Sequence, residues 1–149
     1  MTKVFNSSLE LGLRALMVLT KASRPLSTNE ILYYDFITTY GAYFGISDYN
    51  LHGNSRYSFG EIAARRTSIK YALKRCVIDG FAIPIYSARL GFQYKISQRG
   101  TGLIESLDSN YKDEYIQALS VALELYSTLS ERKLLALIKE KSLIESPED

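Results

Sequence analysis

The sequence predicts a mainly α-helical fold carrying one small β-hairpin, and three observations lead there. Ser7-x-x-Glu10, Ser27-x-x-Glu30 and Ser58-x-x-Glu61 each precede an apolar-periodic run, and this spacing is that of a capping box opening a helix. After the third run, Gly80 introduces two short alternating segments, FAIPIY and FQYKIS, joined by SARLG, which reads as a hairpin. Further helical runs follow. Three helices and then a hairpin is the order of a winged-helix domain. The fold class is therefore mainly α with a small β-hairpin: a winged-helix domain over residues 1–107, followed by a C-terminal helical pair over 108–149 that packs on it or on a partner.

The first helix, about 8–22, carries Leu9, Leu11, Leu13, Leu16, Met17, Val18 and Leu19. It is apolar on most sides and is expected at the centre of the core, with Glu10 and Arg14 spaced to pair. Ser23-Arg24-Pro25 ends it, because the residue before proline avoids the α region. A second helix, about 28–40, places Ile31, Leu32, Phe36, Ile37 and Tyr40 inward and Asp35 on a wetter side. Residues 41–57, rich in glycine and asparagine, read as a loop, a length that is uncommon without a purpose. The third helix, about 59–79, has an apolar stripe of Ile62, Ile69, Leu73, Cys76 and Val77 and ends at Gly80. In the hairpin, Pro84 implies an edge position, since it has no amide to give to a ladder. Gly100 and Gly102 then lead into a short helix, and Tyr111–Ser127 and Ser130–Ser142 read as two more.

Composition narrows the chemistry. One cysteine, Cys76, provides neither a disulfide framework nor a thiolate zinc site, and fits a reducing, cytoplasmic setting. One histidine, His52, in a Gly/Asn loop, lacks a second histidine for a metal site or a dyad. No phosphate-loop spacing occurs among the glycines. No apolar run reaches the roughly 20 residues of a membrane span, and the N-terminal apolar stretch, interrupted by Glu10 and Arg14, reads as a buried helix and not a signal peptide. These features predict no enzymatic activity, no metal, no cofactor, no small-molecule substrate and no membrane.

Charge is polarised along the chain. Residues 56–99 hold nine Lys/Arg against two acids, a local charge of +7 inside a whole-chain +2, while residues 100–149 hold ten acids against five bases. Such asymmetry speaks of partners. The basic residues Arg65, Arg66, Lys70, Lys74 and Arg75 on the third helix, with Arg89 at the hairpin tip, are candidate DNA-backbone contacts. Base-specific reading is disfavoured, because a helix-turn-helix reader joins its two helices by three or four residues and about seventeen intervene here. The aromatic loop supplies the other candidate surface: Tyr43, Phe44, Tyr49, His52, Arg56 and Tyr57 as a partner interface. Six of the twelve tyrosines fall within residues 33–57, and tyrosine offers large amphipathic area at low entropic cost.

The string FNSSLELGLRAL (Phe5–Leu16) resembles the opening of the middle components of ABC-type three-component systems. The aromatic second helix (ILYYDF), the loop LHGNSRYSFGE, the Arg-bearing helix ARRTSIKYALKRCVIDGF and the Tyr-x-Ile-Ser strand are similar to that family too. The resemblance implies a small non-catalytic winged-helix subunit. Such a subunit accompanies an ATPase of the structural-maintenance-of-chromosomes (SMC) type and a separate effector in prokaryotic anti-phage modules such as Lamassu. It implies structural or interfacial roles for Asn6, Glu10 and Arg14 and offers no catalytic residues to carry over. Two functions are therefore in view: an accessory subunit that bridges or regulates the ATPase and its effector, or a DNA-binding transcriptional regulator.

Overall fold

The computed structural model describes residues 7–53 and 59–145. Asn6, Arg56, Tyr57 and the Ser58 cap lie outside them. Among the described residues the chain forms α1 (Ser8–Lys21), α2 (Thr28–Thr39), a short 3-10 turn (Gly41–Phe44), α3 (Phe59–Ile78), β1 (Ala82–Ser87), β2 (Gly91–Ile96), α4 (Gln98–Ser106), α5 (Asn110–Leu125) and α6 (Glu131–Glu145). The fold is mainly helical with one two-stranded antiparallel hairpin, in the element order of a winged-helix-like protein.

Serines start the helices as their chemistry requires. Ser7 Oγ accepts from the Glu10 amide at 3.2 Å. At α2 the capping box is complete: Ser27 Oγ accepts from the Glu30 amide at 3.1 Å and Glu30 Oε1 accepts from the Ser27 amide at 3.0 Å. Ser97 and Ser109 cap α4 and α5 in the same way. Each such bond satisfies an otherwise orphaned amide. Gly80, at φ +80°, ends α3 in a Schellman arrangement, with the Phe81 amide donating to Cys76 O and the Gly80 amide to Val77 O.

The centre of the molecule is α2. Every residue from Glu30 to Thr39 is buried, because α1 and α3 pack on part of the helix while α5 and α6 cover the rest. The sequence assigns Asp35 to a wetter side, but Asp35 has no exposed surface. The C-terminal helices close over the face that periodicity leaves to solvent. Tyr115, Leu119 and Ala122 of α5 and Leu134 and Ile138 of α6 belong to the same apolar core as Leu16, Ile31 and Phe36. Polar bonds reinforce the contact: Glu131 at the start of α6 accepts from Ser27 Oγ at 2.9 Å and Asn29 Nδ2 at 2.6 Å.

In the hairpin, Ala82, Pro84 and Tyr86 lie opposite Ile96, Tyr94 and Phe92. Tyr94 gives its own amide and carbonyl to Leu26, at 2.8 and 3.0 Å, so its backbone groups point away from β1. Pro84 therefore occupies a non-hydrogen-bonded pair, and the amide it lacks would have faced outward. Alternation sends Ala82, Tyr94 and Ile96 toward the helices, whereas Tyr86 and Phe92, farther out on the same face, remain exposed with ring centroids 5.0 Å apart.

Candidate functional site

Two features organise the candidate residues: a charged cluster inside the fold and an exposed face of α3 outside it. The cluster centres on Asp35. Arg14 of α1 grips its carboxylate with both Nε (2.8 Å) and Nη2 (2.9 Å). Arg65 of α3 donates Nη1 to Asp35 Oδ2 at 3.1 Å and to Thr39 Oγ1 at 3.0 Å, and Nη2 to Glu61 Oε2 at 2.8 Å. Tyr115 of α5 donates to Asp35 Oδ1 at 2.5 Å, and Tyr40 donates to Glu61 Oε1 at 2.7 Å. Two guanidinium groups thus meet two carboxylates in a site that α1, α2, α3 and α5 build jointly. Burial alone would raise the Asp35 pKa; the adjoining guanidinium groups and hydrogen bonds outweigh it and hold the carboxyl well below the usual range. The same burial and the carboxylate beside it push Tyr115 well above the ordinary phenol.

This cluster corrects part of the basic-face expectation. Arg65 is only 3 % exposed, and its guanidinium carbon stands 4.7 Å over the centre of the Phe36 ring. It holds the core together and does not reach a phosphate, because a cation at its position on α3 falls directly over Asp35. Arg14 likewise reaches across to Asp35, a partner that i,i+4 spacing along its own helix does not reveal.

The remaining basic candidates divide. Arg66 is half-buried, donating to Asn29 Oδ1 at 3.0 Å and to the Tyr33 hydroxyl at 2.8 Å. Lys70, Lys74 and Arg75 are exposed along the C-terminal half of α3, Arg75 pairing loosely with Asp79 at 3.2 Å. Arg89 is exposed at the hairpin tip. On the same side of α3 stand Tyr71 and Ile78, also exposed. The outward face of the third helix is mixed, apolar as well as cationic.

The loop is partly absorbed by its own fold. Phe44, a candidate for the partner interface, is buried instead, and its carbonyl accepts from the Tyr126 hydroxyl at 3.2 Å. The 3-10 turn presses it inward, while Asn50 Oδ1 accepts from the Ala42 amide at 2.8 Å and closes the loop on itself. Tyr43 is half-buried and stacked on Tyr40. Tyr49 stays about half exposed at 48 %, hydrogen-bonded to Glu114, which raises its pKa. His52 Nε2 lies 2.7 Å from the Tyr111 hydroxyl with the rings stacked. Burial first and the Arg14 charge second push the imidazole down to about 3, against the opposing pull of Asp35, so it is neutral at physiological pH. Cys76 is buried against α1, and burial raises its thiol to about 11. The distinctive polar side chains are thus engaged in structural contacts. Among the described residues no group of three or more His, Cys, Asp or Glu is placed to hold a metal ion, and no helix is long and apolar enough to cross a membrane.

These features define a mainly helical, winged-helix-like domain built around a buried Arg–Asp–Arg cluster. The chain belongs to the ABC-three component (ABC-3C) system Middle Component 2 family, whose model matches residues 4–146. It is accordingly a component of a multi-part system with further components as its partners. No curated protein and no solved structure matches it.

Proposed function

We propose that this chain is a non-catalytic accessory subunit that bridges or regulates an ATPase of the SMC/ABC type and its effector, acting in the cytoplasm in prokaryotic anti-phage defence. The observation that carries the reading is the match, over nearly the whole chain, to the Middle Component 2 family of ABC-three component systems. The geometry supports it: the single histidine, the single cysteine and the most strongly shifted carboxylate all serve the core. What the chain presents outward is contact surface. Co-expression with the products of adjacent genes tests the reading. A complex containing this chain and an ATPase, whose turnover changes when the chain is omitted, is expected. A stable lone protein ignored by those partners would refute it.

A second reading, contact with DNA, is favoured by exposed Lys70, Lys74, Arg75 and Arg89 around a helix and a hairpin. It is a backbone contact and not a base-reading one, since residues 40–58 separate α2 from α3 and remove the short turn by which one helix braces the other. Changing Lys70, Lys74 and Arg75 to Ala should flatten the salt dependence of binding to any duplex. Binding confined to the chain's own promoter would instead favour the transcriptional regulator.

A further inference from the structure

We infer that the outward face of α3, together with the start of α1, is the docking surface for an acidic amphipathic helix of a partner protein; this rests on the accessory-subunit reading. Three large apolar side chains here stand exposed among the described residues: Leu9 and Tyr71, each 72 % exposed, and Ile78, 65 % exposed. Tyr71 and Ile78 line one shallow cleft of about 310 Å³ with Ser8, Lys74 and Arg75. Ser8 and Arg75 also line an adjoining groove of about 300 Å³ that contains Leu9 and whose walls include Ala72 and Phe81. The two depressions share a border and form a continuous surface between α1 and α3.

Its shape and charge select the occupant. Tyr71 and Ile78 are seven residues apart, two turns or about 10 Å along α3, which matches the i, i+3/i+4, i+7 anchors of a partner helix laid in a groove. Apolar side chains at the centre gain nothing from a phosphate backbone, whose oxygens stay hydrated, but gain area-proportional stabilisation from apolar anchors. Lys70 and Lys74 stand exposed on the same stretch, and Arg75 adds a third cation that Asp79 only partly offsets across an exposed 3.2 Å pair. A partner with Asp or Glu flanking its apolar stripe meets complementary potential, which steers the encounter and fixes its register.

The test uses the full chain co-expressed with the other components of its system. A photo-crosslinking amino acid at Tyr71 should capture a partner peptide with helical apolar periodicity and flanking Asp/Glu. Lys74→Glu combined with Arg75→Glu, and separately Ile78→Glu, should each weaken the complex at least tenfold. Salt should weaken the wild-type complex, and Lys placed at the captured acidic positions should restore binding to the Lys74→Glu/Arg75→Glu variant. Arg89→Glu on the hairpin should leave the complex intact. All these side chains are exposed, so unchanged thermal unfolding of the isolated variants separates lost docking from lost folding. A wild-type complex that forms and tolerates every α3 variant overturns this surface while leaving the accessory reading standing. No complex with any partner overturns both. Crosslinking of Tyr71 to DNA, or to α5 of a second copy, overturns the proposed occupant.

Discussion

Replacing Asp35 by Ala should be the most damaging single change in the described structure. The carboxylate has no exposed surface and receives two bonds from Arg14, one from Arg65 and one from Tyr115. Its removal takes from the Arg14 and Arg65 guanidinium groups, both buried, the carboxylate they share, and Glu61, which still pairs with Arg65, is itself partly exposed. Removing one member of a buried ion pair typically destabilises by about 3–5 kcal/mol, and the stranded Tyr115 hydroxyl adds about 1 kcal/mol or more. The total, about 4–6 kcal/mol, approaches the whole stability of an ordinary domain. Urea denaturation followed by circular dichroism measures it, with the expectation that Asp35→Ala is largely unfolded in dilute buffer. Combining Arg14→Met, Arg65→Met and Asp35→Leu should recover most of the loss, because no charge is then left buried without its partner. An Asp35→Ala protein within 1 kcal/mol of wild type would refute the cluster as the centre of the fold.

Other outcomes follow from the same structure. His52 has a folded pKa of about 3 against an ordinary 6.5. The unfolded chain therefore binds the extra proton first, and stability is lost as pH falls below about 6.5. Between pH 7 and pH 5 the loss should be about 2 kcal/mol, the full titration of an unperturbed histidine, and His52→Gln should abolish this slope in denaturation curves; an equal slope in the variant would show that other groups set it. Gly100 packs under the α3–β1 junction, where an added Cβ would collide with the Phe81 carbonyl and approach the Ile96 side chain at 2.8 Å. Gly100→Ala should thus lower stability by about 1–3 kcal/mol, read as a fall in Tm, whereas Gly102→Ala, which meets open space, should leave it level or raise it. Cys76, buried with its thiol raised to about 11, should label slowly with a thiol reagent in buffer and promptly in denaturant; equal rates would refute its burial.

Local signals were readable where local chemistry decides. The Ser-x-x-Glu boxes set the starts of α1 and α2, Gly80 set the end of α3, and the alternating segments set the hairpin, each to within a residue or two. Periodicity also gave the buried stripe of α3 through Ile62, Ile69, Leu73 and Cys76. It failed where long-range packing decides. Asp35 looks like a solvent-facing acid because its partners lie 21, 30 and 80 residues away, and separations of that kind carry no periodic mark. The one available hint was an excess of cations on otherwise apolar helices, Arg14 amid leucines and Arg65 beside Ile62 and Ile69. Phe44 and Arg65 were therefore placed outside for want of any local sign of what covers them, whereas Lys70, Lys74 and Arg89, the other candidate contacts, stand exposed.

The Asp35 cluster also has a meaning in time. A chain made from its N-terminus delivers Arg14, Asp35 and Arg65 well before Tyr115, and the helix that completes the cluster follows them. Until α5 and α6 emerge, the flank of α2 bearing Tyr34 lacks the Tyr126 carbonyl that the Tyr34 hydroxyl binds at 3.1 Å. The nascent protein therefore carries its own unfinished surface until α5 and α6 follow, and a shortened product stopping near Leu107 keeps that surface bare. Quality control would meet it as an exposed apolar helix, so in the cell truncated copies should be removed instead of competing with whole ones for partners.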